Sequence, residues 1–137
     1  MADRLELKGR AGFADQGSGP TRLQLKRKDR QGYQVFLDLL CSHSAIGSAN
    51  TMRGVQAGRP PIYDWVKQLE LIRIPTLILC GDEDDACVKP SLFMKRHIPK
   101  SGLAFFPRSG HGINLEEPDL YNRFCFDFLT AVDQGKW

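Results

Sequence analysis

An acidic residue and a histidine stand in two separate loops of this 137-residue chain, each shortly after an apolar run. The acid is Asp84, at the end of a Gly-Asp-Glu-Asp sequence that begins at Gly81, and the histidine is His111, preceded by Gly110. A carboxylate that binds an imidazole holds the ring in one tautomer and stabilises its charged form, as a general base for a serine or cysteine nucleophile requires. The pair therefore predicts acid–base chemistry, provided that the fold brings the two loops together.

Two predicted strands position these loops. Residues 75–80 form a short apolar run rich in β-formers, and residues 103–106 form a second one. Residues 90–98 between them show helical spacing, which predicts a right-handed strand–helix–strand unit with parallel strands. Because ligands of open α/β sheets gather beyond the carboxyl ends of the strands, we expect Asp84 and His111 to meet at that edge of the sheet.

The rest of the chain is predicted to be mostly helical. Before residue 72, helical patterns cover residues 3–12, 31–40, 44–57 and 62–69, and a glycine-rich loop is expected over residues 13–21. A last helix over residues 117–133 carries a wide apolar stripe, which should pack against the sheet. The sequence thus predicts a helical segment, residues 1–71, followed by an α/β segment, residues 72–137.

The segment from about residue 72 to residue 129 resembles the C-terminal part of the α/β-hydrolase fold. The resemblance rests on the Gly-x-x-Asp that follows a strand at Gly81, on Gly110-His111 before the last helix, and on the Glu117-Pro118 that follows. It implies an α/β chain with parallel strands and flanking helices, preceded by a helical segment similar to the cap or lid of these enzymes.

The resemblance also implies roles for individual residues. Asp84 would be the acid of a Ser-Asp-His triad and His111 its base, with Asp82 and Asp85 as alternatives for the acid. Cap residues close over the substrate in this family, so four apolar residues are candidates for lining its pocket, although a role in the core is commoner for such side chains: Met52, Val55, Tyr63 and Trp65. The implied substrates are small molecules with an ester, lactone or related acyl group, and the implied mechanism uses no metal or organic cofactor.

The nucleophile of such a triad is not found. These enzymes carry it in a G-x-S-x-G elbow upstream of the acid, and no such pattern occurs in the chain. Two alternatives to a hydrolase therefore stay open: a truncated or remnant chain without catalysis of its own, and a non-catalytic module that pairs with itself. Two parallel strands are too few for an independent sheet, so the exposed edge of residues 75–80 could bind a second copy or a missing N-terminal half.

Composition argues against other classes of function. The net charge is only +3 and the basic residues near position 27 are not interleaved with aromatic residues, which argues against nucleic-acid binding. No apolar run approaches the length that spans a membrane. The four cysteines show no metal-ligand spacing and no signal peptide is recognisable, so reduced thiols and a cytoplasmic location are predicted. Cys87 as a nucleophile is disfavoured, because it follows the acid.

Overall fold

The computed structural model describes the backbone of residues 1–137 and all side chains except those of Arg10 and Gln16. The chain forms two compact units, Met1–Pro60 and Pro61–Trp137. The roles of cap and core that the sequence suggested for residues 1–71 and 72–137 remain predictions.

The first unit is built from short helices. They are α1 (Ala2–Lys8), α2 (Arg10–Gly17), α3 (Leu23–Lys28), α4 (Arg30–Cys41) and α5 (Ala45–Thr51), and a π-helical turn, Met52–Gln56, continues α5. Two of them begin at side-chain caps: Asp29 accepts a hydrogen bond from the Gly32 N–H at the start of α4, and Ser44 accepts one from the Gly47 N–H at the start of α5. Their shared core contains Leu5, Phe13, Leu25, Tyr33 and Ala49.

The prediction of a loop over residues 13–21 was wrong in its first half, and that of one helix over residues 3–12 missed a break. Gly9, with a φ of 49°, ends α1, and a new helix starts at the next residue. Phe13 lies within this helix and is only 2% exposed. The glycines near residue 17 indicated a loop, but burial of the Phe13 ring overrides this weak local preference.

The second unit contains the sheet. After a 3₁₀ turn (Ile62–Trp65) and α6 (Val66–Glu70), the chain forms β1 (Thr76–Gly81), α7 (Asp85–His97), β2 (Ser101–Phe106), α8 (Ile113–Glu116) and α9 (Pro118–Asp133). Strands β1 and β2 pair in parallel, with Thr76 opposite Ser101 and Gly81 opposite Phe106. Both strands therefore end at the same edge, as the strand–helix–strand pattern predicted.

Helix α7 begins earlier than the sequence suggested. Pro90 was expected at its start, where a missing N–H costs nothing, but it lies inside the helix that begins at Asp85. The earlier start brings the first turn of α7 directly after Asp84, which is its N-cap residue.

Other residues of the second unit cover the last helix, α9, only in part. Phe124 of α9 packs on the buried Phe106 of β2, with ring centroids 5.5 Å apart. Beside this contact lies an open groove of about 540 Å³, whose lining is mainly apolar: Leu77, Leu79, Ile113, Asn114, Tyr121, Cys125, Phe128 and Leu129. In the part of the chain that the structure describes, β1 has no strand partner other than β2. Among the described residues, no helix combines the length and the apolar character needed to cross a membrane.

Candidate active site

The acid-bearing loop follows β1 and is held by hydrogen bonds between its own backbone groups. The Asp84 N–H donates to the Gly81 carbonyl at 3.2 Å, and the Asp84 carbonyl accepts from Cys87 and Val88 in the first turn of α7. The Asp84 side chain makes no capping bond to α7 and is 5% exposed. Its carboxylate is therefore held in the interior while remaining available to a partner outside the helix.

The histidine-bearing loop follows β2 and is bonded to the acid-bearing loop. The Asp82 N–H donates to the Phe106 carbonyl at 3.1 Å, and the Glu83 N–H donates to the Ser109 carbonyl at 2.9 Å. In return, the Ser109 N–H donates to the Asp82 carboxylate at 3.2 Å. Asp82, an alternative for the acid, thus binds the backbone of the histidine loop, and Asp85, the other one, lies in the first turn of α7.

Gly81 permits this close approach. A Cβ atom at this position would lie 2.3 Å from the carbonyl oxygens of both Ser109 and Gly110. Real Cβ atoms do not come so near to backbone atoms, so any larger residue would push the two loops apart. The glycine at the end of β1 is therefore a structural requirement for bringing the loops together.

Asp84 and His111 meet between these loops. The His111 Nδ1 atom lies 2.6 Å from the Asp84 Oδ2 atom, while the His111 side chain is 53% exposed. Because a carboxylate only accepts hydrogen bonds, Nδ1 carries the proton and Nε2 is left as the ring's acceptor. The arrangement has what a general base needs, a ring held by a buried carboxylate and accessible from outside.

A second carboxylate, which the sequence analysis did not single out, supports the histidine loop. Glu116 is 6% exposed and accepts hydrogen bonds from the N–H groups of Gly110, at 2.8 Å, and Gly112, at 3.1 Å. The sequence analysis singled out the neighbouring Glu117 instead, as part of the Glu117-Pro118 pair. The only signal for Glu116 was the pair of glycines around His111, which leaves two backbone N–H groups in need of acceptors.

Comparisons with known proteins place this geometry in a known fold. No protein-family model matches the chain. YisY of Bacillus subtilis (strain 168), an AB hydrolase superfamily protein, is 33% identical over 101 residues, which are 72% of this chain and 35% of YisY. A putative 2-succinyl-6-hydroxy-2,4-cyclohexadiene-1-carboxylate synthase of the same organism is 29% identical over 90 residues, or 66% of this chain and 32% of that protein.

A solved structure is similar as well. The structure of MenH from S. aureus matches with a TM-score of 0.85 and 25% identity, over 94% of this chain and 48% of that chain. The chain has part of an α/β-hydrolase fold. It spans about a quarter to a third of the length of the curated relatives that it matches, and about half of the solved one.

The thiol of Cys87 lies beside the Asp84–His111 pair of this α/β-hydrolase fold. Its Sγ atom lies 3.9 Å from His111 Nδ1, the same nitrogen that binds Asp84. Burial, with a hydrogen bond to Asp84, raises the pKa of the Cys87 thiol to about 11, so the thiolate is scarce near neutral pH. The thiol therefore does not have the properties of a nucleophile that His111 activates.

The same three residues could also be considered as metal ligands. One donor atom from each of Asp84, Cys87 and His111 lies within 4.8 Å of the others. However, two ligands of one tetrahedral zinc ion stand about 3.3–3.6 Å apart, given bonds of roughly 2.0–2.2 Å, whereas Oδ2 and Nδ1 are 2.6 Å apart. The geometry suits a hydrogen-bonded acid and base better than a metal site.

The four residues suggested for the substrate pocket of the α/β-hydrolase fold lie in different units. Met52 and Val55 belong to the π-helical turn of the first unit, where Val55 is 57% exposed and Met52 lines a cavity of about 350 Å³. Tyr63 and Trp65 belong to the 3₁₀ turn of the second unit, where the Tyr63 ring packs edge-on against Phe93. Their contact with a substrate stays a prediction.

Proposed function

We propose that Asp84 and His111 are the acid and base of a serine-type hydrolase site that acts on small ester, lactone or related acyl substrates. The observation that carries the proposal is the 2.6 Å bond between a buried carboxylate and an exposed imidazole, in loops that follow two parallel strands of an α/β-hydrolase fold. Fold alone does not determine a reaction, and the names of the relatives include a synthase. The acid–base geometry favours nucleophilic acyl transfer.

The proposed mechanism uses His111 twice. Its Nε2 atom takes the proton of a serine hydroxyl as the serine oxygen attacks the acyl carbonyl, and the imidazolium then gives that proton to the leaving alcohol. A water molecule repeats the sequence: His111 takes its proton, hydroxide attacks the acyl-enzyme, and the released serine is reprotonated. Asp84 stabilises the imidazolium in both halves without taking up a proton itself.

The serine is proposed to come from a G-x-S-x-G elbow outside this sequence, on a segment that pairs with β1. Three observations support this. The sequence contains no such pattern, β1 has no partner other than β2 among the described residues, and an apolar groove runs beside it. The matched MenH chain is about twice as long, which leaves room for such a segment in a longer protein of this fold.

Complementation tests the proposal. The purified chain is assayed with p-nitrophenyl acetate and butyrate, alone and mixed with the part of B. subtilis YisY that lies outside the matched segment. We expect hydrolysis to appear on mixing and to fall by roughly 10²- to 10⁴-fold in His111→Gln, the contribution typical of a general base. Asp119→Asn, which changes an exposed acid in the first turn of α9, serves as the control.

One competing function is a non-catalytic module that pairs with itself through the free edge of β1. Such a module runs as a discrete dimer in gel filtration and shows no His111-dependent hydrolysis in either sample. A remnant chain shows neither a discrete dimer nor hydrolysis. Either pattern would count against the hydrolase proposal, and the size of the particle separates the two.

A further inference from the structure

Glu116 holds the backbone on both sides of His111. One carboxylate oxygen accepts the N–H of Gly110 and the other accepts the N–H of Gly112, at 2.8 and 3.1 Å. The Glu116 N–H in turn donates to the Gly112 carbonyl at 2.8 Å. The two bonds from the planar carboxylate group thus restrain the Ser109–Gly110 and His111–Gly112 peptide units, and with them the backbone that carries the His111 side chain.

Burial makes this restraint strong. Glu116 is 6% exposed, and an ionised carboxylate with so little access to water requires charge-assisted hydrogen bonds in compensation. Such bonds are about twice as strong as those between neutral groups. A movement of the histidine loop that broke either one would leave a buried charged oxygen without its partner.

The Asp84 side of the pair has its own restraint. The Asp82 carboxylate accepts the Ser109 N–H at 3.2 Å, which ties the acid-bearing loop to the start of the histidine loop. Asp82 therefore helps to hold the two loops together, and Glu116 restrains the histidine loop itself. Together they hold the backbone position from which His111 Nδ1 reaches Asp84.

We infer that Glu116 is a positioning residue, which keeps the His111 imidazole bonded to Asp84 by clamping the backbone of Gly110 and Gly112. A role of Glu116 in catalysis rests on the proposed function, whereas the positioning of His111 by Glu116 is independent of it. Glu116→Gln removes the charge and one of the two acceptor oxygens, and its amide N–H₂ group then faces a backbone N–H. The histidine loop is expected to loosen while the remainder of the sheet persists.

The test follows the His111 imidazole by ¹⁵N NMR in the full chain, which contains only three histidines. In the wild type, the proton of the His111 ring should stay on Nδ1 and exchange slowly with water. In Glu116→Gln this exchange should speed up by about 10- to 100-fold, the factor that corresponds to one charge-assisted hydrogen bond. Asp119→Asn is the matched control, and Glu116→Asp, which keeps the charge, should recover part of the protection.

A purely structural role gives a different result. If Glu116→Gln lowers the free energy of unfolding but leaves the Nδ1 proton as protected as in the wild type, the inference is overturned. If the variant does not fold, hydrogen exchange of the wild-type amides decides: Gly110 and Gly112 should be protected, and exchange at the rate of free amides would contradict the clamp. None of these measurements requires a nucleophile or turnover, so their failure is distinct from failure of the proposed hydrolase.

Discussion

Replacing Gly81 by alanine should separate the two loops that form the site. The new Cβ atom would lie 2.3 Å from the Ser109 and Gly110 carbonyl oxygens, whereas ordinary contact begins at 3.4 Å. The loops must therefore move apart by about 1 Å, at a cost of ~1–3 kcal/mol in the free energy of unfolding, as is typical of overpacking. The atoms in the way belong to the backbone, so a change of rotamer does not relieve the clash.

The same movement should break the bond between Asp84 and His111. Their 2.6 Å separation, increased by about 1 Å, exceeds the limit for a hydrogen bond. Urea unfolding measures the cost in stability, and ¹⁵N NMR of the imidazole shows whether the proton on Nδ1 is still protected. We expect both quantities to change together in Gly81→Ala.

Gly112→Ala is the matched control. This residue also lies beside His111, but its added Cβ would come no closer than 3.5 Å to Glu116 Oε1, and alanine retains the N–H that Glu116 accepts. Its free energy of unfolding should stay within about 1 kcal/mol of the wild type. A Gly81→Ala protein as stable as the wild type, with a protected Nδ1 proton, would show that the pair does not depend on the close packing of the two loops.

Three further predictions concern other parts of the chain. With a pKa of about 11, the Cys87 thiol has roughly a hundredfold less thiolate at pH 8 than an ordinary thiol. A thiolate of higher pKa is a stronger nucleophile, which offsets about tenfold of this difference. Mass spectrometry should therefore show that iodoacetamide reacts with Cys87 about tenfold more slowly in the folded protein than in the unfolded chain. Reaction should accelerate as pH rises towards 11, and equal rates in both states would contradict the burial of this thiol. Gly102→Ala places a Cβ 2.6 Å from the Trp137 ring, so the ring should be displaced from β2 into water. In a Trp65→Phe background, where Trp137 is the remaining tryptophan, the fluorescence should therefore shift to the red. An unchanged spectrum would show that the ring does not cover β2. Phe13 is 2% exposed, so Phe13→Ala should lower the free energy of unfolding of the first unit by ~3–5 kcal/mol. Circular dichroism follows the unfolding, and a loss below about 1 kcal/mol would place Phe13 outside the core.

The meeting of the two loops could be predicted because it depends on topology. Two short apolar runs, one ending before Gly81 and the other before Pro107, indicated β1 and β2. The helical pattern between them required a parallel pair whose ends share one edge. His111 and Asp84 follow those ends, so their proximity needed no knowledge of side-chain contacts. The catalytic roles given to them stay predictions.

Other features depend on tertiary contacts that local patterns do not record. The helix that contains Phe13 was missed because glycines nearby indicate a loop, whereas burial of the ring decides the structure. Pro90 suggested a helix start, but the packed helix tolerates one missing bond. Glu116 was missed because its function depends on two backbone N–H groups that only the folded loop directs at its carboxylate.

Covalent labelling of the native protein tests the central proposal most directly. An antibody against α9 captures the protein from its source cells, and a fluorophosphonate, which reacts with activated serines, is added to the captured material. We expect a label on a serine in a G-x-S-x-G sequence, either in a longer form of this chain or in a partner bound to it, and loss of that label in a His111→Gln strain. Captured protein that carries no label, or a label that persists without His111, would contradict the assignment of Asp84 and His111 as the acid and base of a hydrolase.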